Sequence, residues 1–256
     1  GRMQRETILI LDFGSQYTQL IARRLRELQV FSEILPPCTK AKALRAKSPQ
    51  GLILSGGPDS VYEKGAPRCD QALFALGVPV LGVCYGMQLM THLLGGELRR
   101  SLRREYGPAV LQPGDGLLLR GLSPGKRVWM SHGDSIEKAP PGFTAVASSD
   151  ANAVAAMEAR ERRLFGLLFH PEVVHTEEGT RVLSNFLDVC GCRRDWTAAS
   201  FVEEAVEKIR AQVGEEGRVI CALSGGVDSA VAAMLVHRAI GDQLTCVFVD
   251  NGLLRK

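Results

Sequence analysis

The stretch that most constrains this chain is Pro79 to Leu94, PVLGVCYGMQLMTHLL. Pro79 to Val83 reads as a short buried strand running directly into an amphipathic helix that opens near Tyr85. Cys84 sits between them, with Gly82 and Gly86 two residues to either side. So tight a strand-to-helix turn strains the backbone at its apex, and residues lacking a β-carbon let strand and helix approach. The arrangement is the cysteine counterpart of the G-x-S-x-G nucleophile elbow. The positive end of the helix favours thiolate over thiol at such a position. An isolated cysteine is more often a packing residue; the paired glycines and the strand-to-helix switch favour a nucleophile.

The flanking sequence supplies a frame for that elbow. Buried strand runs are expected at Thr7–Asp12, Val30–Leu35, Gly51–Ser55 and Pro79–Val83, with helices over about 13–28 and 70–76 between them. Strands alternating with helices at this pitch give βαβ units, and so an α/β fold on a mostly parallel open sheet with helices on both faces. Ligands bind beyond the carboxyl ends of such strands. Asp12, Gly56-Gly57 and Cys84 all fall at strand ends and are expected to converge. From Gly96 the texture changes to shorter β-type runs at 110–111, 117–119, 128–131, 144–147 and 154–158. Leu164–Phe169 is a further buried strand, followed by a helix over about 177–189.

The 256 residues leave room for one large domain or two smaller ones. An apolar share of 45% and a charged share of 23% are those of an ordinary soluble globular chain. A net charge of +3, from 31 basic and 28 acidic residues, gives no reason to expect nucleic acid or a membrane surface as partner. Gly1-Arg2 ahead of Met3 reads as a tag remnant. The seven cysteines lack a repeating spacing, which points to reduced thiols in a cytoplasmic protein. Cys190-Gly-Cys192 has no second Cys/His pair at zinc-site spacing, so no metal is expected there.

A cysteine nucleophile needs a base, and the base needs an orienting group. His170 stands at the carboxyl end of the Leu164 strand with Glu172 two residues on, and Pro171 stiffens the dipeptide between them. His92 and His237 read as helix-face residues, His132 as a loop residue near substrate, and His175 as a weaker candidate. Neutral imidazole accepts the thiol proton while the carboxylate fixes the tautomer. Acyl transfer also needs oxyanion donors. Gly57, in the SGGP turn, and the Tyr85 N–H, directly after the nucleophile, are the candidates.

After a short polar linker at 191–199, a helix over 201–213 and a strand over 218–223 lead into Ser224-Gly225-Gly226-Val227-Asp228-Ser229. A helix over 230–240 and a strand over 244–249 follow. Glycines and serines between a strand and a helix offer consecutive N–H groups as an anion nest. The G-K-[ST] ending of a Walker A loop is missing. Asp228 suits a Mg²⁺ that accompanies pyrophosphate. ATP cleaved between its α and β phosphates is the expected ligand. So few residues follow Ser229 that the second domain is expected to be truncated.

These motifs carry a resemblance. LDFGSQY at 11–17, LSGGP at 54–58, GVCYGMQ at 82–88, MSHGD at 130–134 and FHPEV at 169–173 resemble the class I (triad) glutamine amidotransferases, which have a flavodoxin-like sheet. LSGGVDSA at 223–230 and CVFVDNG at 246–252 resemble the ATP pyrophosphatases, of the adenine nucleotide alpha hydrolase type. That order is similar to the glutamine-hydrolysing GMP synthase family. The resemblance implies an amidotransferase domain over 1–192 and the start of a pyrophosphatase domain over 193–256. It implies Cys84 as nucleophile, His170 as base and Glu172 as orienting group, with Gly57 and Tyr85 as the oxyanion hole. Gln88, Ser131, His132, Gly133 and Asp134 would hold glutamine, and Ser224 to Ala230 would hold ATP, where the family commonly has serine in place of Ala230.

The implied reaction is glutamine hydrolysis, its ammonia serving the ATP- and Mg²⁺-dependent amination of XMP to GMP in a full-length homodimer. Hydrolysis itself would need no cofactor, and this chain would keep at most the glutaminase half. Rival readings are an idle glutamine-binding regulatory module, a cysteine peptidase or amidase sharing the elbow, and a tRNA-thiolating ATPase sharing SGGVDS.

Overall fold

Among the described residues of the first compact unit, nine strands hydrogen-bond into one sheet in the spatial order Phe31–Leu35, Thr7–Leu11, Gly51–Leu54, Val80–Val83, Leu164–Leu167, Ala156–Ala159, Thr144–Ser149, Glu105–Pro113 and Lys126–His132. The computed structural model describes residues 5–101 and 104–249. Asp250 to Gly252 of the CVFVDNG motif and the Gly1-Arg2 remnant lie outside them.

The parallel half is β1 (Thr7–Leu11), β2 (Phe31–Leu35), β3 (Gly51–Leu54), β4 (Val80–Val83) and, from much later in the chain, β11 (Leu164–Leu167). Both faces of β1, β3, β4 and β11 are covered, which is why their sequences are almost unbroken apolar runs, whereas the edge strand β2, FSEIL, is only partly buried. On one face Ile8, Ile10, Ile53, Leu81 and Val83 pack with α1 (Thr18–Glu27) and α4 (Gly179–Val189). On the other, Leu9, Leu11, Leu52, Leu54 and Val80 pack with α2 (Ala41–Ala46) and α3 (Tyr85–Leu93).

The remaining strands of the sheet are antiparallel: β6 (Glu105–Pro113), β7 (Lys126–His132), β9 (Thr144–Ser149) and β10 (Ala156–Ala159). A separate two-stranded ribbon pairs β5 (Glu97–Arg99) with β8 (Ser135–Lys138). Two elements differ from the sequence expectation. The apolar trio Leu117–Leu119 is a 3-10 turn rather than a strand, because Gly114 and Gly116 wrap it closely over Val146. The helix expected near 70–76 is a 3-10 turn, Gln71–Ala75, capped by Asp70, whose Oδ1 accepts from the Ala72 N–H at 3.1 Å.

From Trp196 on, the described residues form a second compact unit. Its α5 (Ala198–Val213) opens on a reciprocal cap between Thr197 and Ser200. Parallel strands β12 (Val219–Leu223) and β13 (Leu244–Phe248) flank α6 (Val227–Ile240) in sequence. Its small core gathers Val206, Ala239 and Ile240. α6 begins three residues before the sequence expectation, so Val227, Asp228 and Ser229 form its first turn rather than a loop. Gly226 is the cap, and Asp228 in that turn complements the helix dipole.

Candidate active site

The register of β4 against β11 builds the centre of the site. Val83 lies opposite Leu167, so both strands end at one level of the sheet. The Cys84 N–H still donates to the Leu167 carbonyl at 2.7 Å before the chain turns into α3. Cys84 takes φ +49° and ψ −107°, a strained backbone for a non-glycine residue. Packing enforces that strain. A β-carbon on Gly82 would lie 2.7 Å from the Gly86 carbonyl, and one on Gly86 would lie 2.3 Å from the Leu54 carbonyl oxygen. The two glycines therefore let α3 sit directly on β3 and β4.

Beyond β11 the chain continues through Phe169, bridged to Met130, to His170, whose N–H donates to the Trp129 carbonyl at 2.9 Å. Thr176 Oγ1 donates to the His170 carbonyl at 2.5 Å and accepts from the Trp129 N–H at 2.9 Å, tying the segment to β7. The His170 Nδ1 lies 2.6 Å from Glu172 Oε1, and both side chains are buried. Its ring meets Tyr17 edge-on, with centroids 5.1 Å apart. Burial disfavours the imidazolium. The Cys84 sulfur and the Glu172 carboxylate oppose that by charge and hydrogen bonding, and the net effect sets the His170 pKa well above the ordinary value.

Gly56 and Gly57 follow β3 and close this space from the side. A β-carbon on Gly56 would fall 2.9 Å from His170 Cε1 and 3.6 Å from Cys84 Cβ. One on Gly57 would fall 2.3 Å from the Phe13 carbonyl oxygen. The Tyr85 N–H, in the first turn of α3, has no carbonyl of its own helix to bond. A cleft of about 290 Å³ opens here, walled by Gly14 to Tyr17, Gly57-Pro58, Arg104, Tyr106, Ser131 and His170. Cys84, 1% exposed, is not among the lining residues.

The other expected residues divide. Gln88 is buried on α3 and donates from Nε2 to the Asp134 carbonyl at 2.8 Å. The same carbonyl lies 3.0 Å from His132 Nδ1. The His132 Nε2 is 3.0 Å from Glu105 Oε2 but out of line for a hydrogen bond, and burial lowers the His132 pKa. Asp134 accepts from Ser60 Oγ at 2.6 Å. Gly133 and Asp134 line a neighbouring depression that shares Pro58 and Arg104 with the cleft. Asp12 does not line the cleft. Its Oδ1 accepts from the Gly14 N–H at 2.9 Å and from Thr18 Oγ1 at 3.0 Å, shaping its own loop. His175 is exposed and stacks beside Trp129, centroids 4.8 Å apart, outside the cleft lining.

Gly56 meets the expected convergence, lying close to His170 and Cys84. Tyr17, Arg104 and Tyr106 line the cleft without a role assigned from sequence; of these Tyr17 alone carries a signal, as the end of the LDFGSQY motif. Cys190 is buried near Gly51, and burial pushes its thiol up; burial takes the Cys192 thiol to about 12. All seven cysteines are free.

In the second unit, Ser224 Oγ and Ser229 Oγ lie 3.3 Å apart, and Ser229 Oγ donates to the Gly226 carbonyl at 3.1 Å. Gly225 takes φ +82°. Among the described residues no group of three or more His, Cys, Asp or Glu side chains could enclose a metal ion. Asp228 is the carboxylate in this turn, a donor set that fits Mg²⁺ only when phosphate oxygens supply other ligands. No helix among the described residues is long and apolar enough to cross a membrane.

Comparison with known proteins fits this layout. The family described as "Glutamine amidotransferase class-I" matches residues 9–190, and the "tRNA methyl transferase HUP domain" family matches residues 217–254. The chain is 55% identical to the glutamine-hydrolyzing GMP synthase of Geobacillus kaustophilus, covering 99% of this chain and 50% of that protein. It is 54% identical to that of a Nostoc species, covering 100% and 48%. The chain thus spans about half the length of the curated relatives it matches. A Thermoplasma acidophilum protein described as a GMP synthase subunit, known from its crystal structure, superposes with a TM-score of 0.67 at 29% identity, covering 79% of this chain and 98% of that one. A glutamine amidotransferase from Thermotoga maritima, at 19% identity and a TM-score of 0.52, covers 80% of this chain and 86% of its own and shares the fold.

Proposed function

The chain belongs to the class-I glutamine amidotransferases, and from that premise we propose that it hydrolyses L-glutamine to glutamate and ammonia through Cys84, His170 and Glu172. The observation that carries this reading is the His170 ring, with the Glu172 carboxylate 2.6 Å from one nitrogen and Gly56 lying close to both the ring and Cys84. The Cys84 thiolate attacks the side-chain amide carbon of glutamine. The N–H groups of Gly57 and Tyr85 receive the oxyanion. Imidazolium at His170 delivers its proton to the leaving ammonia, then as neutral base takes a proton from the water that cleaves the γ-glutamyl thioester. Glu172 holds the ring in the tautomer this exchange requires. Gln88 and the Ser131 to Asp134 segment hold the amino-acid end.

Residues 1–192 are the amidotransferase domain in this reading, and 193–256 open an ATP pyrophosphatase domain. The backbone of Ser224 to Ala230 would cradle ATP phosphates, with Asp228 toward the accompanying Mg²⁺, which when bound neutralises phosphate charge. In a full-length, homodimeric protein of the relatives' kind, the ammonia aminates XMP to GMP, with AMP and pyrophosphate released. The high identity to GMP synthases across both units supports this over the peptidase and tRNA-directed readings.

Ammonia release from glutamine by the wild-type chain and by Cys84→Ala tests the hydrolysis. Loss on the order of 10⁴-fold or more is expected in the variant. Equal release by both overturns the assignment, and none from the folded wild type, with or without nucleotides, returns it to a binding module.

A further inference from the structure

A free amino acid differs from a glutamine inside a peptide by its charged α-carboxylate, a group that a guanidinium at the mouth of the cleft would recognise. Arg104, just before β6, walls the cleft together with Gly57, Ser131 and His170. It also lines the adjoining depression with Gly133 and Asp134. It is the cationic side chain common to both, and among the described lining residues the cleft has no lysine and no second arginine.

Its guanidinium is anchored at the rim. One terminal nitrogen donates to the Pro58 carbonyl at 2.7 Å and the other approaches the Ser131 carbonyl at 3.4 Å. Those carbonyls belong to the two segments that flank the reaction space, the turn after β3 and the end of β7. A guanidinium carries five donors in a rigid fork matched to a carboxylate, so two carbonyl contacts orient it without exhausting it. The opposite charge is close by as well. Asp134, Asp59 and Glu63 line the depression on the far side of Pro58 and Arg104. The rim thus presents a cation beside carboxylates, the pattern that an α-carboxylate and α-ammonium on one carbon would meet. The cleft volume of about 290 Å³ is at the small end for ligand sites and suits one amino acid.

We propose that Arg104 is the α-carboxylate receptor of the site, and that it restricts the substrate to glutamine with a free α-carboxylate. The proposal rests on the glutamine reading above and adds a residue and a specificity to it. A merely structural Arg104 would lower affinity for every ligand alike, whereas a receptor discriminates by one functional group.

The test uses calorimetry on the Cys84→Ala chain, so that ligand is not consumed, with L-glutamine and L-glutamine α-amide as ligands. The protein is unchanged between the two, so folding does not enter that comparison. The α-amide is expected to bind about 100-fold more weakly, the scale of a lost charge-assisted fork. Adding Arg104→Gln is expected to weaken L-glutamine by a similar factor and to level the two ligands, while Arg104→Lys falls between, its melting temperature confirming the fold. Equal binding of both ligands to the chain with Arg104 intact overturns this proposal alone. A preference that persists in Arg104→Gln overturns it too, and binding of neither ligand overturns it together with the glutamine reading.

Discussion

The glycine-flanked turn into α3 and the glycine-flanked turn into α6 differ in how closely they are packed in this chain. At the first, every residue of β4 is buried, Cys84 is 1% exposed, and the flanking glycines touch backbone at distances no β-carbon could share. At the second, β12 is only half buried, Val227 is 78% exposed, and a β-carbon on Gly226 would meet nothing nearer than Ser224 Oγ at 3.5 Å. The first is a strained turn held rigid by a sheet with helices on both sides. The second is the exposed first turn of α6. If Cys84 is the nucleophile, as proposed, it must be fixed to a fraction of an ångström, and the packing of its turn supplies that. The second turn is exposed in a chain that spans about half the length of its relatives, and under the proposed reading its backbone N–H groups would meet phosphate.

The sharpest way to break this contrast is at Glu172. Glu172→Gln keeps the shape but removes the carboxylate that lies 2.6 Å from the His170 ring. Ammonia release is expected to fall on the order of 10³-fold. The pH profile must move in a definite direction. The folded His170 pKa is raised, so its imidazolium persists above the ordinary value near 6.5 and is lost only as pH rises through the higher one. Removing the Glu172 charge lowers that pKa, and the alkaline limb of kcat/KM is expected to shift to lower pH. An unmoved limb would detach Glu172 from the ring.

Next in size is a pair of glycine substitutions read by thermal unfolding. Gly86→Ala drives a methyl to 2.3 Å from the Leu54 carbonyl oxygen, and a loss of about 3 kcal/mol or more is expected. Gly226→Ala, at φ −84° with open space, is expected to change stability by less than about 1 kcal/mol. Equal losses would mean the two turns are packed alike. Smallest of all is the effect of Asp228→Asn on glutamine hydrolysis, expected within twofold of wild type. A large drop there would show that the second turn contributes to the chemistry at the first.

The parts of the molecule legible in the sequence are those whose local pattern and final environment agree. β1, β3, β4 and β11 are buried on both faces, so burial writes itself as continuous apolar runs. The elbow and the His170-Pro171-Glu172 segment are local in sequence and could be found by spacing. The ribbon strands β5 and β8 are three and four residues long and carry charged side chains, so no apolar alternation marks them. The six-residue α2, AKALRA, has only Ala41 and Leu44 buried, too few to set a period. Leu117–Leu119 has a strand-like composition overridden by the glycines before it. Arg104 and Tyr106 were not legible because their place in the cleft depends on partners far away in the chain, as with Arg104 and Pro58.

The account rests on one sulfur being singled out among seven, and an electrophilic glutamine analogue followed by intact-mass and peptide mapping tests that most directly. Cys38 and Cys246 are exposed whereas Cys84 is buried, so simple accessibility and assisted reactivity make opposite forecasts. One adduct per chain, located on Cys84 and blocked by glutamine, is the predicted result. Labelling at Cys38 or Cys246 with Cys84 untouched would contradict it.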